Sequence, residues 1–190
     1  MRICKPRIGC RTWACLALLM VLLAAVAAGC GDDTTGTTGQ TYSDGTYLVG
    51  KNMPAGLYKG MPEGAQGVWS ISTDAAGLDE VASSQPIGQF YVQVEDGQYL
   101  ELLDVTIAAD STTSSTTPLP TYLGTGMYLV GVDAAPGHYK GVVSGSAGDW
   151  LISADANGRS VVAKGSPTAD FSVDVQNGQF LDLKYVTLSQ

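Results

Sequence analysis

The 190-residue chain carries 10 Lys+Arg against 18 Asp+Glu, and all four cysteines lie in its first 30 residues. From Cys30 onward six basic residues face all 18 acids, a net charge of −12 that repels phosphate backbones and excludes nucleic acid as a partner. With one histidine (His138) and no later cysteine, that part offers no disulfide and no Cys/His metal set; the expectation is a non-enzyme with no cofactor, metal or catalytic residue.

Residues 1–29 have the plan of a secretory signal peptide. Arg2, Lys5, Arg7 and Arg11 precede an uninterrupted apolar stretch from Ala14 to Ala28. Its 15 residues fall short of the roughly 20 a membrane-spanning helix needs. The stretch ends in Ala27-Ala28-Gly29-Cys30. This resembles the lipobox of bacterial lipoproteins, although Ala27 stands where that motif most often has Leu. The resemblance implies that Cys30 carries diacylglycerol, that acyl chains of the palmitate kind hold the protein to the membrane, and that the chain is extracytoplasmic. Cleavage at Ala25-Val26-Ala27, giving a secreted soluble form, is the alternative. Residues 30–44 continue as a Thr/Gly-rich flexible tether with an r.m.s. reach of about 20 Å.

A shift of 81 residues aligns 45–107 with 126–188 without a gap, and 29 of the 63 aligned positions are identical. This is a tandem duplication, with a Ser/Thr/Pro spacer at 108–125. Each copy reads as short period-two runs bounded by Gly, Pro, Asp and Asn. Phe90-Val92-Val94 alternates with Tyr91-Gln93-Glu95, and Phe171-Val173-Val175 repeats the pattern. Asp96-Gly97 and Asn177-Gly178 carry the signal of a type I′ hairpin turn. The expected fold is all-β: six or seven strands per copy in a small antiparallel sandwich or partly closed barrel. Modules of about 60 residues are marginal alone, so the copies should pack together or against a partner.

The segment G-x-Y-x-V-G-x(5)-G-x-Y-K-G occurs at 45–60 and 126–141. It resembles a repeat of secreted and lipid-anchored proteins of Gram-positive bacteria, especially actinobacteria. In that family a Trp-containing strand and a D-G-Q-Y/F turn follow, as Trp69, Trp150, Asp96-Gly97-Gln98 and Asn177-Gly178-Gln179 do here. The resemblance implies a β-module at the cell envelope and no particular activity. Many relatives place a cysteine beside the tryptophan; Val68 and Asp149 stand there instead, so that disulfide is missing.

Among candidate chemical groups, His138 has Leu57 as its counterpart and reads as an ordinary strand residue rather than a catalytic base. Asp74 and Asp155, the only acids repeated as Asp, each open a tight loop and read as turn formers. Their other reading is a carboxylate pair of a small hydrolase. Asp155-Ala156-Asn157-Gly158 resembles a fragment of a calcium loop without its remaining ligands. Trp69 and Trp150 share strand faces with Ile71 and Ile152, as core residues do, but flat indoles are also platforms for sugar rings. Tyr58-Lys59 and Tyr139-Lys140 complete the candidate ligand-binding set, the lysines as positive spots on an acidic surface or as protection of a sheet edge. The sequence thus reads as a lipid-anchored, non-catalytic binding or display protein. Its expected partners are the membrane and an envelope polysaccharide or protein; the alternatives are the hydrolase and a purely structural accessory protein.

Overall fold

The computed structural model describes residues 39–110 and 118–190. The leader, Cys30, the tether up to residue 38 and spacer residues 111–117 lie outside the described residues. Those described are all-β and belong to one compact unit. Eight strands make up the first copy: β1 (Thr41–Tyr42), β2 (Gly45–Leu48), β3 (Gly56–Pro62), β4 (Val68–Ser72), β5 (Glu80–Ser84), β6 (Phe90–Val94), β7 (Tyr99–Leu103) and β8 (Val105–Ala109). The second copy repeats them as β9 (Tyr122–Leu123), β10 (Gly126–Leu129), β11 (Gly137–Val143), β12 (Asp149–Ser153), β13 (Val161–Gly165), β14 (Phe171–Val175), β15 (Phe180–Lys184) and β16 (Val186–Ser189).

Each copy is a sandwich of two four-stranded antiparallel sheets, and none of the sheets closes into a barrel. The orders are β1-β8-β3-β6 and β2-β7-β4-β5, with β9-β16-β11-β14 and β10-β15-β12-β13 in the second copy. Period-two alternation sends one side of each sheet inward. Tyr58, Phe90, Val92, Val94, Val105 and Ile107 from one sheet meet Trp69, Ile71, Leu100 and Leu102 from the other. Tyr139, Val173, Val175, Val186 and Leu188 meet Ile152, Leu181 and Leu183 in the second core.

The folded modules reach beyond the aligned segments. Tyr42, in the tether composition, is 5% exposed and pairs with Ile107; Leu123, in the spacer, is 1% exposed and pairs with Leu188. Two-residue strands are too short to show a period, which is why eight strands replace the expected six or seven. The Asp96-Gly97 turn also differs from expectation. Gln98 donates to the Glu95 carbonyl at 3.2 Å, but only Gly97 has positive φ (84°), whereas type I′ needs two such residues. It joins no hairpin, because β6 pairs with β3 while β7 pairs with β2 and β4. The turn carries the chain from one sheet to the other, as Asn177-Gly178 does in the second copy.

Gly60 and Gly141, which end the G-x-Y-K-G motif, seat a ring from the neighbouring strand. A Cβ there would stand 2.6 Å from the Phe90 ring or 2.3 Å from the Phe171 ring.

Candidate functional site

The two copies are joined along β6 of the first and β10 of the second. The Met127 N–H donates to the Gln89 carbonyl at 2.7 Å, and the Gln89 side-chain amide donates to the Met127 carbonyl at 2.8 Å. The Asn157 side chain bonds the backbone of Gln93 twice, accepting from its N–H at 2.9 Å and donating to its carbonyl at 2.8 Å. Tyr91, Met127, Leu129, Ala156 and Phe180 form an apolar cluster, with Tyr91 edge-on to Phe180. At the rim, Asp133 accepts from Lys59 Nζ and from the Tyr91 hydroxyl, each at 2.6 Å. The same carboxylate accepts the Leu129 N–H at 3.0 Å. Burial and the bond to the Asp133 carboxylate push the Tyr91 hydroxyl far above the ordinary tyrosine range. Asp110 sits nearby with Oδ2 unpartnered; burial raises its carboxyl, the Lys59 charge opposes that, and Asp133 adds to it.

This junction makes the two tryptophans unequal. Trp69 is 2% exposed, its indole N–H without a partner. Beside it lies a residual gap of only about 10 Å³, walled on one side by Ser84 and Pro86–Phe90 and on the other by Gly126, Met127 and Asp182–Lys184 of the second copy. At the equivalent end of the second copy, Trp150 is half-buried, stacked on Phe171 (6.2 Å between ring centres, 7° between planes). Where Ser84 pairs with Trp69, Gly165 pairs with Trp150, and the indole lies directly over the glycine.

A cleft of about 670 Å³ opens there, lined by Trp150, Leu151, Val161, Gly158, Gly165 and Ser166 and by the charged Asp149, Lys164, Asp182 and Lys184. The register explains the lining. Leu151 of β12 stands between Lys164 of β13 and Asp182 of β15, with Asp149 opposite Lys184 one step along, all on the outward face of one sheet. Asp149 accepts from the Ser166 hydroxyl at 2.6 Å. Burial raises the Asp182 carboxyl; Lys184 and the Leu183 N–H oppose it without cancelling it. The cleft thus combines an aromatic edge, an apolar floor and a rim of hydrogen-bonding groups.

The other sequence candidates fall elsewhere. Tyr58 and Tyr139 are core residues whose hydroxyls donate to the carbonyls four residues back, Pro54 at 2.7 Å and Ala135 at 2.8 Å; their rings are not offered to a ligand. Lys59 is committed to Asp133 and Lys140 is exposed. His138 lies 2.9 Å from Asp174, its directly opposite partner on β14, but on an open surface, with 57% of its side chain exposed. Asp74 and Asp155 are turn formers. Asp74 accepts the N–H groups of Ala76 at 2.8 Å and Asp79 at 2.7 Å; Asp155 accepts those of Asn157, Arg159 and Ser160. The Asp79 N–H bond, joined by others in the loop, holds Asp74 below the usual carboxylate range. Partial burial acts to raise Asp155, but the Arg159, Ser160 and Asn157 donors outweigh it and hold it low. Asn157 is spent on Gln93, so the calcium-like loop has lost a ligand to the junction. No cluster of three or more His, Cys, Asp or Glu side chains suited to a metal occurs among the described residues. Nor does any helix among them have the length and apolarity to cross a membrane.

Sequence reasoning missed Asp133, Asn157, Tyr91 and Gln93 at the junction and Gly165, Lys164 and Lys184 at the cleft. Their signal lay in positions where the copies differ: Asn52, Ala76, Ser172 and Asp174 replace the first four, and Ser84, Ser83 and Leu103 replace the last three. No protein-family model matches the chain, and neither a curated protein nor a solved structure does.

Proposed function

We propose that this protein is held outside the cytoplasm by a lipidated Cys30 and presents two joined β-sandwiches, the second of which binds an envelope polysaccharide in the cleft beside Trp150. The observation that supports binding is the inequality of two equivalent tryptophans: Trp69 is closed over, while Trp150 edges an open cleft of about 670 Å³. A sugar ring placed on Leu151 and the indole edge would leave its hydroxyls to Asp149, Ser166, Asp182 and the lysines. The lipid anchor is supported by the sequence at 27–30 and by the tether that follows it. The hydrolase alternative is weakened by the loop bonds that occupy Asp74 and Asp155.

Two experiments test this reading. Labelling cells with a palmitate analogue should tag the wild-type chain and leave Cys30→Ser untagged; equal labelling refutes the anchor. In the purified chain, envelope oligosaccharides should change tryptophan emission, the response surviving in Trp69→Phe and vanishing in Trp150→Phe. A response that vanishes only in Trp69→Phe, or none with any saccharide, refutes the cleft as the site.

A further inference from the structure

We propose, building on that reading, that the cleft selects an anionic glycan, a saccharide or polyol chain bearing carboxylate or phosphate groups, through Lys164 and Lys184 on either side of Leu151. The first support is the distribution of charge. Residues 45–107 hold two cations against eight acids, whereas 126–188 hold four cations against six acids. Two of the six cations after Cys30, Lys164 and Lys184, line the cleft.

Comparison with the first copy gives the second support. Ser83 and Leu103 occupy the positions of Lys164 and Lys184, so both cations belong to the copy whose tryptophan stays accessible. A third support lies in how the charges are used. Lys59 is consumed by Asp133, but neither Lys164 nor Lys184 forms an ion pair among the described residues. The lining sets two lysines against two carboxylates, locally balanced on a chain whose net charge after Cys30 is −12, so an anionic group can pair with Lys164 and Lys184 there without the repulsion of the wider surface.

The test is a titration of the full-length chain in mild detergent, followed by tryptophan emission. The probes are oligogalacturonate as carboxylate glycan, a glycerol-phosphate oligomer as phosphate polyol, and an N-acetylglucosamine oligomer as neutral control. At least one anionic probe should bind about tenfold or more tighter than the neutral one, and weaken several-fold between about 20 mM and about 200 mM salt. The better anionic probe identifies the substituent. Lys164→Met and Lys184→Met should each weaken it about fivefold or more, while Lys51→Met and Lys140→Met leave it unchanged. Equal binding of the neutral oligomer without salt dependence overturns the anionic selection and leaves the glycan cleft standing. Equal losses in all four lysine variants overturn it too, by showing diffuse attraction to the whole surface. No response to any of the three probes overturns both readings.

Discussion

Asp133 is the residue on which the junction between the two sandwiches turns, and Asp133→Ala is its sharpest test. The carboxylate takes three donors: Lys59 Nζ, the Tyr91 hydroxyl and the Leu129 N–H. Tyr91 is fully buried, so its hydroxyl, once stripped of its acceptor, costs about 1–3 kcal/mol. Lys59 keeps 35% of its side chain exposed and can turn to water, so its share is the roughly 0–1 kcal/mol of a surface pair. The Leu129 N–H adds about 1 kcal/mol, for a total near 3 kcal/mol. Urea unfolding followed by tryptophan emission should show that loss as a lower midpoint, with Trp69 reporting because its indole is walled by the second copy. Tyr91→Phe removes the stranded hydroxyl, so the cost of Asp133→Ala in that background should fall by about 1 kcal/mol or more. A loss under about 0.5 kcal/mol in Asp133→Ala, or strict additivity with Tyr91→Phe, would refute the claim that this carboxylate fastens the copies together.

Gly141→Ala should destabilise the second sandwich by about 1–3 kcal/mol by displacing the Phe171 ring, and Trp150 emission should shift with it because the two rings are stacked; unchanged stability and emission would remove the explanation given for that glycine. Asp155 has a lowered carboxyl, so its stabilisation is present above the unfolded value of about 3.9 and is lost as pH falls through the lower folded value. Melting temperatures measured from neutral pH into strong acid should therefore fall less steeply at the acid end in Asp155→Asn than in wild type, and superimposable acid limbs would contradict this. The chain should remain a single copy in light scattering at rising concentration, because the outer faces of the tandem carry Asn52, Ala76, Ser172 and Asp174 where the junction has Asp133, Asn157, Tyr91 and Gln93. Concentration-dependent growth of larger species would show that those replacements do not block the ends.

The sandwich was legible in the sequence because the inward residues of long strands recur every second position. Phe90-Val92-Val94 and Leu100-Leu102 are buried as their alternation predicts. What escaped was decided by contacts distant along the chain. Two-residue strands such as Thr41–Tyr42 have no period to read, and Tyr42 enters the core only because β8 lies beside it. The Asp96-Gly97 signal correctly marked a tight turn but could not tell a hairpin from a passage between sheets, since that depends on which strands β6 and β7 find as partners. From sequence alone Tyr58 and Tyr139 read as ligand candidates because they are aromatics beside lysines. Strand alternation allowed either member of each pair to point inward, and the tyrosines do.

The repeat identity that made the fold readable also drew attention away from the site. Identical positions in the two copies mostly serve what each sandwich does for itself: Gly60 and Gly141 seating a phenylalanine, Tyr58 and Tyr139 bonding a carbonyl four residues back, Asp74 and Asp155 closing a loop. A junction between copies arranged head to tail makes a different demand, since each copy contributes a different face to it. Lys59, Tyr91 and Gln93 must be right in the first copy only, and Asp133, Asn157 and Phe180 in the second only. The position equivalent to Tyr91 is then released from packing and becomes Ser172, and the indole that would have been covered, Trp150, is left beside a glycine and two lysines. Within a tandem of this kind, chemistry specific to one copy is to be sought where the copies disagree.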